Sequence, residues 1–114
     1  MIKGSCHCGA LSYTLNEIPS EAMRCNCSIC RRKGHLLTFS TPEKFTFEGD
    51  ESAISEYQFG SKSIHHQFCS KCGCSPFGWG IGPNGVEMVA INLNCTDDFD
   101  PGTLKVTEFD GASL

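Results

Sequence analysis

Cys69-Ser70-Lys71-Cys72-Gly73-Cys74 is the stretch on which the reading of this chain turns. A Cys-x-x-Cys pair followed by glycine has the form of a metal knuckle. The tight turn aims both thiolates inward, and the glycine permits the positive φ at which backbone N–H groups turn toward sulfur. Far upstream, Cys6-His7-Cys8-Gly9 offers a second pair. Residues two apart on a strand share a face, so Cys6 and Cys8 can present two sulfurs to one ion while His7 points away. The two pairs supply four thiolates, the complement of a closed tetrahedral zinc site that would join the two ends of most of the chain. Two other readings of the cysteines remain open. A redox Cys-x-x-Cys expects a βαβ setting that this sequence lacks, and an iron–sulfur cluster also takes four cysteines.

Between these pairs lies Cys25-Asn26-Cys27-Ser28-Ile29-Cys30, which offers three ligands and no evident fourth. An incomplete tetrahedron is the mark of a catalytic zinc, where water or substrate fills the last position. Alternatively His35, His65 or His66 closes the site and makes it structural, or the three cysteines hold no metal and only pack. Charge placement favours the open site. All three arginines, Arg24, Arg31 and Arg32, fall with Lys33 in this one window of an otherwise acidic chain. Neighbouring cations favour the thiolate form, and guanidinium forks grip carboxylates. The expectation is a zinc centre that accepts an anionic ligand carrying its own thiol, with Arg31, Arg32 and Lys33 as the candidates to anchor it. No general base is evident, and His35 is a candidate only through its nearness in sequence. Cys74 and Cys95 lack a partner at ligand spacing and read as packing thiols.

The rest of the sequence explains why metal would be needed. With 114 residues, 39% hydrophobic and 19% charged, the chain has material for one domain, expected to span 1–114. Leu, Ile, Val and Phe together make up about 22% of residues, just above the roughly 20% below which chains tend to stay disordered. Structural zinc can add about 10–16 kcal/mol of apparent folding free energy to so thin a core. Nowhere is there an apolar run of the ~18 residues that a membrane helix requires. The opening Met1-Ile2-Lys3-Gly4-Ser5-Cys6 lacks the apolar run of a secretory leader, so a reducing, cytoplasmic setting with free thiols is expected. Nine cysteines, an odd number, also fit a closed disulfide framework poorly. The net charge of −4 argues against a nucleic-acid partner, which cationic surfaces bind.

Strand periodicity dominates. Leu11, Tyr13 and Leu15 alternate with smaller or polar residues, as do Phe45 and Phe47 within 44–48. Tyr57 with Phe59, then Ile64, His66 and Phe68, give two more strands around the turn Gly60-Ser61-Lys62. Residues 86–93 form the strongest apolar run, and 104–109 follow the turn Asp100-Pro101-Gly102. Helix is expected only at Ser28–Lys33, with a cap or turn at Thr41-Pro42-Glu43. Trp79, among the glycines of Phe77-Gly78-Trp79-Gly80-Ile81-Gly82, reads as core or ordinary loop rather than pocket wall. A small all-β domain is the result.

In its Gly4-Ser5-Cys6-His7-Cys8-Gly9, Cys25-Asn26-Cys27-Ser28-Ile29-Cys30-Arg31-Arg32 and Phe68-Cys69-Ser70-Lys71-Cys72-Gly73 segments, the sequence resembles the glutathione-dependent formaldehyde-activating enzyme family, which includes centromere protein V. The resemblance implies a zinc-bearing fold of coiled antiparallel β-sheets, shared with methionine sulfoxide reductase B. It implies a structural zinc on Cys6, Cys8, Cys69 and Cys72 and a more labile one on Cys25, Cys27 and Cys30. The implied activity is that of a carbon–sulfur lyase acting on a small thiol adduct such as S-(hydroxymethyl)glutathione, formed from glutathione and formaldehyde. The alternative expectation is a non-catalytic, zinc-stabilised binding or scaffold module.

Overall fold

Short alternating runs between turn residues have too little length for helix, and they pair as strands. The computed structural model describes residues 1–60, 62–82 and 84–113, so Ser61 of the expected turn lies outside the described residues. Within them the strands are β1 (Ile2–Ser5), β2 (Ser12–Leu15), β3 (Glu21–Cys25), β4 (Leu37–Ser40), β5 (Phe45–Phe47), β6 (Ile54–Tyr57), β7 (Ile64–Cys69), β8 (Phe77–Ile81), β9 (Glu87–Asn92) and β10 (Lys105–Phe109). A single α-helix among these residues, α1 (Ser28–Lys33), follows β3. The architecture is the small all-β one expected from the sequence. A three-stranded sheet has the order β1-β2-β5, and a seven-stranded sheet has the order β10-β3-β4-β9-β8-β7-β6.

The two sheets meet through aromatic rings. Phe77 of β8 sits edge-on to Tyr13, Phe45 and Phe47 of the smaller sheet, with centroids 6.2, 5.2 and 5.7 Å away. Around them Leu11, Leu15, Ile91 and Leu93 are fully buried. This is the alternation of β2, β5 and β9 converted into packing, one face inward and the other to solvent.

Four strands do not stand out from the sequence, and β8 shows why. A side chain at Gly78 would press on the His65 carbonyl at 2.8 Å, and one at Gly80 on that of Ser63 at 2.9 Å. Glycine in a strand marks this close backbone approach, yet in isolation it looks like a loop. Trp79, expected in core or loop, is therefore a strand residue stacked on His65 at 3.8 Å. One pairing departs from the antiparallel expectation. β10 lies parallel to β3 at the sheet edge, in the register Lys105↔Glu21 through Phe109↔Cys25. A strand joined to its neighbour by some 80 intervening residues is free of the hairpin constraint that enforces antiparallel pairing, and this one carries Phe109 to the end of β3. Among the described residues no helix is long and apolar enough to cross a membrane.

If Phe77 ties the sheets together, Phe77→Ala should cost about 3–5 kcal/mol in a urea titration of the metal-loaded protein. Phe39→Ala, at a position 42% exposed, should cost roughly 1 kcal/mol or less.

Candidate metal centres

The first centre forms where two turns of like design face each other. Gly9, with φ 84°, donates its N–H to the Cys6 carbonyl, and Gly73, with φ 82°, donates to the Cys69 carbonyl. Each glycine allows the chain to fold back so that the preceding cysteines converge. The Sγ atoms of Cys6, Cys8, Cys69 and Cys72 all lie within 4.8 Å of one another. Cys8 Sγ is 3.7 Å from Cys6 Sγ and 3.6 Å from Cys69 Sγ. A tetrahedron with zinc–sulfur bonds of about 2.3 Å has edges of about 3.8 Å, so the donor set fits such an ion. Backbone amides support the thiolates: Leu11 N donates to Cys6 Sγ at 3.3 Å and Lys71 N to Cys69 Sγ at 3.4 Å. The amides of Cys74 and Cys8 bring the Cys72 thiol down to about 5. His7 is exposed and stands apart from this group.

The second centre is assembled by a strand end, a helix cap and a returning segment. Cys25 closes β3, Cys27 is the N-cap of α1, and Cys30 lies within that helix. Cys27 Sγ accepts from Cys30 N at 3.4 Å, and Cys25 Sγ accepts from Cys27 N at 3.4 Å. Burial opposes ionisation of Cys27, but the amides of Cys30 and Ile29 and the thiols of Cys30 and Cys25 outweigh it and lower its pKa. The three sulfurs also lie within 4.8 Å of one another, and no histidine among the described residues joins the group. Nine free cysteines and no disulfide are found. Both clusters can therefore hold metal ions, one with four sulfurs and one with three.

The segment after β10 was not recognisable as part of this site. Asn26 donates through Nδ2 to Asp110 Oδ1 and accepts from Ala112 N, both at 2.9 Å. A side chain at Gly111 would strike Cys25 Sγ at 2.6 Å. An asparagine between two cysteines is the only local signal, and its partners lie more than eighty residues away. The cations separate. Arg24 pairs with Glu108 at 3.2 Å on the surface, and Arg32 Nη1 donates to Ser28 O at 2.8 Å. Arg31 and Arg32 are exposed on the helix and do not line the cavity beside the cysteines, whereas Lys33 does, donating to Ser75 Oγ at 3.0 Å.

That cavity, of about 300 Å3, is bordered by Cys25, Cys27 and Cys30 together with His35 and His66. His66 stacks on Phe59 at 5.5 Å. His35 Nε2 is buried without a hydrogen-bond partner among the described residues. Trp79 lines a different recess with Glu56, whose Oε2 is 2.9 Å from His65 Nδ1. Cys74 and Cys95 sit outside both metal groups, and burial pushes the Cys95 thiol up to about 11. Burial, with Lys33 and His66 nearby, pushes His35 down to about 4. An unfolded histidine protonates near 6.5. The stability due to the neutral folded ring is therefore complete above that pH and declines as pH falls toward 4. Ring NMR shifts of His35 should stay constant from pH 7.5 to 5.5, and a midpoint near 6.5 would contradict its burial.

Comparison with known proteins gives the arrangement a family. The family model described as glutathione-dependent formaldehyde-activating enzyme matches residues 1–108. A Halomonas elongata protein with the provisional name of such an enzyme is 30% identical over a 98-residue alignment that takes in 78% of this chain. The chain spans about three-fifths of that relative's length, 61%. A crystal structure of a Rhodobacter sphaeroides protein is similar with a TM-score of 0.79 at 27% identity, over 93% of this chain and all of that one. Sulfur clusters, fold and sequence agree, and the chain belongs to the glutathione-dependent formaldehyde-activating enzyme family.

Proposed function

We propose that this chain is a zinc-dependent carbon–sulfur lyase acting on a small thiol adduct. The observation that carries the reading is the inequality of the two sulfur groups, four in one and three in the other, with a cavity bordered by the three. In this reading Cys6, Cys8, Cys69 and Cys72 hold a structural zinc, and Cys25, Cys27 and Cys30 hold a labile one. The second ion, when bound, supplies a Lewis acid that favours the thiolate form of a substrate sulfur.

The chain's own residues do the remainder. Lys33 Nζ, on the cavity, anchors a substrate carboxylate by a charge-assisted hydrogen bond. Arg31 and Arg32, exposed on the other face of α1, contribute at most to the local positive field. His35, neutral and on the cavity wall, relays the proton of the adduct hydroxyl to sulfur as the carbonyl forms. The apolar wall excludes water, which strengthens these interactions. The family's name points to glutathione and formaldehyde as the adduct's components.

The test is a comparison of two cysteine variants. Cys27→Ser should keep the fold and one tightly held zinc while carbon–sulfur cleavage falls by at least about a hundredfold. Cys69→Ser should abolish cooperative folding. A mild chelator should remove one zinc equivalent together with activity and leave the circular dichroism unchanged. Two equally tight equivalents with no turnover would instead favour the scaffold module.

A further inference from the structure

The wall of the cavity beside Cys25, Cys27 and Cys30 suits a different substrate from the one the family name suggests. Met23, Leu37, Phe39, Phe59, Ile64 and Phe109 all border the cavity. Four of these, Phe39, Phe59, Ile64 and Phe109, are more than two-fifths exposed in the free protein. Large apolar side chains left open around one concave site mark a place where apolar surface is meant to be covered.

The polar inventory is equally restrictive. Among the described lining residues Lys33 is the sole lysine or arginine, and none is an aspartate or glutamate. Asn92 is already committed, donating to Ser75 O at 3.0 Å and accepting from Asn94 N at 3.1 Å. Gln67 Nε2 donates to Glu56 at 3.1 Å. His35 and His66, both lowered chiefly by burial, are neutral at pH 7. Glutathione brings two carboxylates, an ammonium group and two amides, and each needs a partner once buried. One lysine can answer one carboxylate, and no acidic side chain among the described lining residues answers the ammonium. The one-carbon group of formaldehyde occupies on the order of one or two water volumes of about 30 Å3. The cavity of about 300 Å3 leaves most of its space to something else.

We propose that the site takes a hemithioacetal with an apolar body, aliphatic or aromatic, and a single carboxylate seated on Lys33. This rests on the lyase reading above. The reaction is R–CH(OH)–S–R′ giving RCHO and R′SH. The carbon–sulfur bond breaks with its electron pair going to sulfur, the hydroxyl oxygen becomes the carbonyl oxygen, and the hydroxyl proton ends on sulfur. No oxidant or reductant is required. The apolar body belongs either to the aldehyde or to the thiol, and the two sources are separable by experiment.

Binding is measured by calorimetry on the full chain, with and without zinc, for ω-phenylalkanoates from 3-phenylpropanoate to 6-phenylhexanoate, which lack any thiol. Cleavage is measured on the zinc-loaded protein with three adducts: phenylacetaldehyde with 3-sulfanylpropanoate, formaldehyde with 3-phenyl-2-sulfanylpropanoate, and formaldehyde with glutathione. Affinity should rise about fourfold per methylene along the series. Amide shifts should centre on Phe59, Ile64 and Phe109. Ile64→Glu, at an exposed strand position and with unchanged zinc content and circular dichroism, should weaken binding at least tenfold. One of the first two adducts should exceed the third in kcat/KM by at least tenfold, and which one does so identifies the source of the apolar body. A flat methylene series, or an adduct of glutathione and formaldehyde that is cleaved as well as the others, would overturn the proposed ligand class while leaving the lyase reading intact. Cleavage of none of the adducts, alongside the expected methylene series, would remove the lyase reading and keep the ligand class.

Discussion

The gathering of Cys6, Cys8, Cys69 and Cys72 within one coordination sphere is the constraint from which the rest of the molecule follows. It pins the turn after β1 to the end of β7, elements of different sheets. The interior between those sheets is small, a few aromatic rings around Phe77 with Leu11, Leu15, Ile91 and Leu93. A cross-link between elements so far apart in sequence removes much of the disorder that so thin a core would otherwise have to overcome. The two glycine turns serve the same end, since a side chain at Gly9 or Gly73 would have to adopt a positive φ.

The second sulfur group works differently because its surroundings differ. It rests on a strand end and a six-residue helix, closed over by the turn at Gly111 and held by Asn26. None of these elements adds a fourth sulfur, and an apolar cavity occupies the side left open. A group that is tightly gathered yet incomplete has the character of a site that exchanges ligands, whereas the four-sulfur group has the character of a clamp. Parallel pairing of β10 with β3 underlies the contrast, because it delivers both Phe109 and Gly111 to the cysteines.

Local patterns in the sequence carried much of this. Cysteine spacing picked out both clusters, and Ser28–Lys33 is helical as the short polar run after Cys27 suggested. Alternation located β2, β5, β6, β7, β9 and β10 to within a few residues. What stayed hidden depended on distant partners. β8 resembled a loop because Gly78 and Gly80 answer to the carbonyls of His65 in β7 and of Ser63 just before it. The cluster of arginines around Cys25–Cys30 looked like one anion site, but pairing of Arg24 with Glu108 and of Arg32 with Ser28 disperses it, and Lys33 alone reaches the cavity. The cavity itself draws its wall from β3, α1, β4, β7, β8, β9 and β10, a convergence no single stretch records.

Zinc K-edge X-ray absorption, recorded as metal is added back in two steps, tests the inequality of the two groups most directly. The first equivalent should show sulfur alone at about 2.3 Å, and the second should add an oxygen or nitrogen neighbour at about 2.0–2.1 Å. Saturation at one equivalent, or an all-sulfur shell for both ions, would contradict an enclosed ion beside an open one.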